Sequence, residues 1–107
     1  MEKEIEQKLA QLQLIEQSLQ TILLQKQQFQ SQLIENESAI KELEKAESAY
    51  KIIGNIMVAA KKEELQKELK DRLEALKLRI NSIEKQEKHI KERAQAIRKE
   101  VMGKLKK

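Results

Sequence analysis

The hydrophobic residues of the N-terminal half recur in alternating steps of three and four. Fourteen positions between residues 5 and 50 follow this spacing, and ten of them are apolar. They are Ile5, Lys8, Leu12, Ile15, Leu19, Ile22, Lys26, Phe29, Leu33, Asn36, Ile40, Leu43, Glu47 and Tyr50. Such a seam predicts one long coiled-coil helix. Leu14 and Leu24 fall off the seam, and we expect both to face outward.

The C-terminal half repeats this pattern. Eleven positions between residues 69 and 104 follow the spacing, and nine are apolar. They are Leu69, Leu73, Leu76, Ile80, Ile83, Glu87, Ile90, Ala94, Ile97, Val101 and Lys104. We expect Leu65 and Leu105 to extend this stripe and Gly103 to fray the last turn. The pattern predicts a second coiled-coil helix.

Residues 50–58, between the two helices, have a different pattern. Two apolar, β-branched runs flank Gly54-Asn55, and both turn residues tolerate positive φ. This predicts a two-residue β-hairpin in which Ile53 faces Ile56 and Ile52 faces Met57. Lys51 then faces Val58, and Tyr50 faces Ala59.

The predicted fold is mainly α-helical: a long antiparallel two-helix coiled coil joined by a short β-hairpin. A single domain spans 1–107, with helix 1 at 1–49, the hairpin at 50–60 and helix 2 at 61–107. Charged residues make up 37% of the chain and aromatic residues 2%, and there is no proline. This composition is typical of a coiled coil and lacks the bulky residues of a conventional globular core.

The predicted hairpin is apolar on one face and nearly so on the other. A two-stranded hairpin is marginal alone in water, and its open edges can pair with other strands. Two interpretations remain: a turn that covers the ends of its own helices, or hairpins of several chains that join into a shared sheet.

The two seams can be aligned in one antiparallel register. It places Leu43 opposite Leu69 and Asn36 opposite Leu76, and it brings Lys26 to the layer of Glu87. The charges of the two halves also favour pairing of the two helices. Residues 1–50 carry five Lys or Arg and nine Glu, whereas residues 51–107 carry seventeen Lys or Arg and nine Asp or Glu. An acidic helix and a basic helix attract each other.

The sequence gives no support for catalysis. There is no cysteine, no glycine-rich phosphate loop and no cluster of metal ligands, and the one histidine, His89, lies outside the seam. No apolar run reaches membrane length, and the start of the chain is not a signal peptide. We therefore expect a cytoplasmic protein that is not an enzyme, has no cofactor and has no membrane partner.

The order helix, Tyr-Lys-Ile-Ile-Gly-Asn-Ile-Met-Val hairpin, helix resembles the β subunits of prefoldin of the archaeal type. The resemblance covers the whole chain and is sharpest at residues 50–55, 67–69 and 79–87. A single hairpin resembles the β class rather than the two-hairpin α class. The resemblance implies an ATP-independent chaperone in which two α and four β subunits join their hairpins into β-barrels. It also implies that the arm tips hold unfolded client proteins and deliver them to a group II chaperonin.

Two sets of site residues are predicted. An antiparallel arm brings both chain ends together at a tip that can open and expose apolar side chains. The client-binding set is Ile5, Leu9, Leu12, Val101, Met102 and Leu105. The oligomerisation set is Tyr50, Ile52, Ile53, Gly54, Asn55, Ile56, Met57 and Val58.

Two alternatives to a chaperone stay open. A coiled-coil arm with a basic second helix could bind RNA, although interleaved acids and the lack of stacking aromatics argue against a nucleic-acid partner. The chain could also be a structural coiled-coil spacer.

Overall fold

The computed structural model describes residues 2–106 and contains two helices and two strands. Helix α1 spans Glu2–Lys45, strand β1 Ala49–Ile53, strand β2 Ile56–Ala60 and helix α2 Lys62–Leu105. The strands form a two-stranded antiparallel sheet. The predicted fold class, two long helices joined by a β-hairpin, is confirmed. The outer limits predicted for the helices, residues 1 and 107, lie outside the described residues.

Burial along both helices follows the predicted seams. Between residues 2 and 43, the buried and half-buried positions are the predicted seam positions and no others. The same holds for α2 between residues 67 and 106. Leu14 and Leu24 face outward as predicted, and Leu65 is half-buried at the start of the stripe. Leu105, which we expected to extend the stripe, is exposed because it follows the seam position Lys104 by one residue, about 100° around the helix.

Helix α1 ends at Lys45, four residues before the predicted boundary. The amide of Ala46 donates to the carbonyl of Leu43 at 3.3 Å, a tight turn that closes the helix. Residues 46–48 then lead into β1. The seam prediction fails beyond this point: Glu47 and Tyr50 are exposed, whereas Ala46 is half-buried and Ala49 buried. Strand alternation has replaced the helical period there.

The hairpin register is confirmed, and the strands extend one further pair to Ala49 and Ala60. Gly54 has φ of 60°, while no other residue in the described range 2–106 has a positive φ. Positive φ at the first central residue alone is the pattern of a type II′ turn. The turn therefore needs a glycine at position 54 and makes no such demand at Asn55.

The chain forms two compact units. The terminal unit contains residues 1–27 and 81–107, and the hairpin unit contains residues 28–80. In the hairpin unit, the side-chain amide of Asn36 donates to the carbonyl of Leu69 at 2.8 Å. The guanidinium of Arg79 lies 5.6 Å from the centre of the Phe29 ring, close enough for a cation–π contact.

These contacts correct the predicted register of the hairpin unit. Asn36 was expected opposite Leu76, but it bonds to Leu69, seven residues nearer the hairpin. The seam pattern repeats every seven residues, so a register shifted by two turns also places seam positions opposite seam positions. Lys26 and Glu87 do not distinguish these registers, because both side chains are long and flexible. Their ion pair does form, in the terminal unit, at 3.4 Å.

Candidate functional site

The hairpin exposes nearly all of its apolar residues. Six large hydrophobic side chains are 43–70% exposed: Tyr50, Ile52, Ile53, Ile56, Met57 and Val58. Tyr50, Ile52 and Met57 lie on one face, and Ile53, Ile56 and Val58 on the other, because strand side chains alternate. Gly54 and Asn55 at the tip are also exposed. The predicted oligomerisation residues thus form one apolar surface that covers both faces of a two-stranded sheet.

Polar contacts fix the base of the hairpin to the helices. The Lys51 ammonium donates to both carboxylate oxygens of Glu68, at 3.1 and 3.2 Å. The Lys62 ammonium donates to the Glu44 carbonyl at 3.0 Å. Neither contact was predicted, because both depend on side-chain geometry that residue spacing does not reveal. A groove of about 620 Å³ lies beside this attachment. Its apolar lining includes Leu43, Tyr50, Ile52, Leu65 and Leu69.

The six predicted client-binding residues all belong to the terminal unit, but they differ in exposure. Val101 is buried and Ile5 and Leu12 are half-buried, so these three form the seam. Leu9, Met102 and Leu105 are exposed. The structure therefore provides three apolar side chains that are accessible now and three that only opening of the helix pair would expose.

Ion pairs join the two helices where the chain ends meet. Glu4 pairs with Lys104, and Lys8 pairs with Glu100. The hydrogen bond from Lys104, reinforced by its charge, lowers the pKa of the Glu4 carboxyl. Gly103, which we expected to fray the last turn, lies within α2, and the Lys106 amide donates to the Met102 carbonyl at 3.1 Å. These exposed ion pairs add to the apolar contacts of the seam at this end, and protonation or salt can weaken them.

No metal-binding or membrane-spanning element is found in the part of the chain that the structure describes. Residues 2–106 contain no group of three or more His, Asp or Glu side chains placed to hold a metal ion. None of the helices there combines the length and hydropathy needed to cross a bilayer. His89 is exposed, as its position off the seam predicted.

Comparisons with known proteins agree with this architecture. Residues 6–107 match the family model described as "Prefoldin subunit". A prefoldin subunit beta of Sulfurisphaera tokodaii is 44% identical over 52 residues, which cover 49% of this chain and 42% of that protein. One from Thermococcus gammatolerans is 34% identical over 57 residues, or 53% of this chain and 49% of that protein. These alignments span less than half the length of each relative.

A solved structure resembles nearly the whole chain. The crystal structure of the prefoldin beta subunit from Thermococcus strain KS-1 aligns with a TM-score of 0.90 and 31% sequence identity. The alignment covers 97% of this chain and 94% of that one. The resemblance inferred from the hairpin motif and its flanking helices is confirmed.

Proposed function

This chain belongs to the prefoldin subunit family, and from that premise we propose that it is an ATP-independent holdase subunit. Its hairpin joins it to other subunits, and its helix ends hold unfolded proteins and deliver them to a group II chaperonin. The observation that carries the proposal is the hairpin's exposed apolar surface, on a chain whose helices bury their own seams. We assign it no catalysis, cofactor, membrane partner or nucleic-acid partner, and place it in the cytoplasm.

The hairpin supports assembly with α-type prefoldin subunits, in a hexamer of two α and four β subunits. Contiguous apolar patches are rarely left exposed on monomers, and they mark interaction surfaces. Both strands of the sheet also have an unpaired edge, which can receive another strand. Joining hairpins into closed barrels would pair the free strand edges and bury the exposed apolar side chains.

The terminal unit supports capture of unfolded chains. Leu9, Met102 and Leu105 offer flexible apolar contacts without a shaped pocket. Opening of the last turns would add Ile5, Leu12 and Val101 to this surface. Each contact is weak, but several subunits in one assembly would bind the same client through many contacts. Methionine at position 102 adapts to clients of varied shape.

Removal of the chain ends tests this proposal. We expect an assembly that lacks residues 1–10 and 101–107 to keep its number of subunits, because the hairpin unit is intact. It should fail to prevent aggregation of a chemically unfolded protein diluted into buffer, as followed by light scattering. Full protection by the truncated assembly would mean that client proteins bind elsewhere on the assembly.

Two controls separate this result from damage to the fold. The triple variant Leu9→Gln, Met102→Gln and Leu105→Gln removes only exposed apolar groups, so it should lose protection while keeping its helicity. Addition of RNA addresses the other candidate partner. A salt-dependent mass shift with RNA, without any protection of the unfolded protein, would favour a nucleic-acid arm. An assembly with no effect in either assay would favour a structural spacer.

A further inference from the structure

Two methionines lie within the described residues, and both are exposed, but in different settings. Met57 is 66% exposed in strand β2 of the hairpin, and Met102 is 54% exposed near the end of α2. The third methionine, Met1, lies outside the described residues. The chain has no cysteine, so the methionine thioethers are the sulfur groups that an oxidant can reach. Hydroperoxides convert such thioethers to sulfoxides.

The side chain of Met57 belongs to an apolar face of the hairpin. Met57 pairs with Ile52 across the two strands, and Tyr50 lies on the same face. These two neighbours are 70% and 59% exposed. Within residues 49–60 this face carries no charged side chain, because Lys51 points to the other one. The thioether of Met57 is therefore part of an uncharged surface that is open in the single chain.

The backbone of Met57 lies along a free edge of the sheet. Ile53 and Ile56 close the two-residue turn, and a closing pair of this kind exchanges hydrogen bonds. The next pair, Ile52 and Met57, is then a non-hydrogen-bonded pair, so its N–H and C=O groups point outward. A strand that adds to β2 would bond to these groups of Met57 and lie beside its side chain.

We propose that Met57 is an oxidation site through which hydroperoxides prevent unassembled chains from joining other subunits. This proposal rests on the proposed role of the hairpin in assembly. The thioether sulfur attacks one oxygen of the hydroperoxide, so that an S–O bond forms and the O–O bond breaks. The proton of the transferred oxygen passes to the leaving oxygen, which departs as water or an alcohol. The sulfur loses two electrons, and the hydroperoxide gains them.

The sulfoxide changes the surface that assembly would bury. It replaces an apolar thioether by a polar group that accepts hydrogen bonds, and such a group is costly to bury without a donor. Assembly through the hairpin would cover the sulfur of Met57, so the reaction selects chains that have not yet assembled. Met102 belongs to the terminal unit, and assembly through the hairpin should leave its exposure unchanged.

Met102 therefore provides an internal standard for the rate of oxidation. The full-length chain is treated with hydrogen peroxide before or after it is mixed with an α-type subunit. Mass spectrometry of the tryptic peptides 52–61 and 100–104 then reports on Met57 and Met102 separately. Both methionines should be oxidised at comparable rates before mixing, whereas after mixing oxidation should nearly stop at Met57 and continue at Met102. Equal rates at Met57 before and after mixing would overturn the proposal.

Conservative variants test the effect on assembly. Treatment before mixing should raise the dissociation constant of assembly about tenfold in sedimentation velocity, as expected when one polar group is buried without a partner. Met57→Leu keeps a similar volume without a thioether, so it should assemble equally well with and without treatment. Met102→Leu should weaken on treatment as the unaltered chain does. Weakened assembly of treated Met57→Leu would assign the effect to damage elsewhere and contradict the proposal.

Enzymatic reversal provides a second measurement that needs no variant. Methionine sulfoxide reductases A and B each reduce one epimer of the sulfoxide. Together they should return peptide 52–61 to its original mass and restore assembly of the treated chain. Assembly that stays weak after this peptide has been fully reduced would exclude Met57 as the cause.

The oxidation site and the assembly proposal fail in distinguishable ways. If untreated chains assemble and chains oxidised at Met57 assemble equally well, the oxidation site is wrong and the role of the hairpin in assembly stands. If untreated chains do not assemble with α-type subunits, the assembly proposal is wrong, and the oxidation site is overturned with it.

Discussion

The hairpin unit and the terminal unit interrupt their apolar seams in different ways. In the hairpin unit the interruption is Asn36, a neutral side chain that is 5% exposed. Its amide nitrogen bonds to the Leu69 carbonyl, and its buried oxygen has no partner within residues 2–106. In the terminal unit the charged seam positions are Lys8 and Lys104 near the chain ends and, further along the helices, the half-buried ion pair of Lys26 and Glu87.

The difference shows which interruption can fix a register. The Asn36 amide is short, so a shift of one turn would break its bond to the Leu69 carbonyl, which would move about 5.4 Å away. A lysine and a glutamate reach each other across such a shift. We therefore expect Asn36 to favour one register at a cost in stability, as buried asparagines do in coiled coils, and Lys26 and Glu87 to tolerate more than one.

The largest expected effect comes from replacing the glycine of the hairpin unit, Gly54, and the glycine of the terminal unit, Gly103, provides the control. A Cβ added at Gly54 or Gly103 meets no atom within 4 Å, but only Gly54 has a positive φ. Gly54→Val should therefore strain the turn and dissolve the assembly while helicity stays high, and Gly103→Val should leave the assembly intact. Sedimentation velocity and circular dichroism provide the measurements.

Placing charged side chains on one face of the hairpin should also dissolve the assembly, although the turn residues are unchanged. Ile52→Lys with Met57→Lys places two ammonium groups where assembly would bury them. If the native oligomer survives both this variant and Gly54→Val, the hairpin is not the assembly site.

Replacement of Asn36 tests the cost of register specificity. Asn36→Leu removes a buried oxygen without a partner and adds apolar contact, so the free energy of unfolding should rise by about 1–2 kcal/mol. The distance distribution between spin labels at Glu35 and Lys70 should broaden as the register loosens. Asn81→Leu, the same change at an exposed position, should alter stability by less than about 0.5 kcal/mol. A narrow distribution in Asn36→Leu would mean that other contacts set the register.

The ion pair of the terminal unit should respond differently. Lys26→Leu with Glu87→Leu is expected to raise the melting temperature, because it removes the desolvation cost of both charges. Each single change should lower the melting temperature, and the free energy of unfolding should fall by about 1 kcal/mol or less. Glu87→Leu should be the worse of the two, since Lys26→Leu leaves Glu87 paired with Lys91 at 3.8 Å. A double variant that melts below both singles would contradict this account.

The smallest effect concerns pH at the chain ends. Because Lys104 lowers the pKa of Glu4, the pair stabilises the closed end above the ordinary glutamate pKa and loses that contribution as pH falls through the lowered value. Amide protection factors near Lys104, whose helix α2 provides hydrogen-bonded amides, should drop under acidic conditions, and Glu4→Gln should abolish that drop. Glu6→Gln is the control, because Glu6 forms no ion pair with any residue from 2 to 106.

The sequence predicted those features that depend on periodicity. The seams, the outward leucines, the hairpin pairing and the positive φ at Gly54 follow from residue spacing and from the conformational freedom of glycine. Helix register did not follow, because neighbouring alignments match similar numbers of apolar positions, and side-chain contacts such as that of Asn36 with Leu69 decide between them. The end of α1 was misplaced because Glu47 and Tyr50 continue the helical spacing by coincidence.

The candidate site was predictable in part. The hairpin residues stand out because an apolar strand pair without a core needs a partner. The attachment of Lys51 to Glu68 depends on side-chain geometry, so it leaves no periodic signal.

The tight turn at Gly54 and Asn55 also has a kinetic consequence. Contacts near it join residues close in sequence: Lys62 to Glu44 spans 18 residues and Asn36 to Leu69 spans 33, whereas Lys26 to Glu87 spans 61 and Glu4 to Lys104 spans 100. Loop closure costs more entropy as the loop lengthens. We therefore expect folding to begin at the hairpin and to close the helix pair progressively, with the chain ends joining last. Pulse-labelling hydrogen exchange during refolding should protect residues 40–70 first, and simultaneous protection throughout would exclude this order.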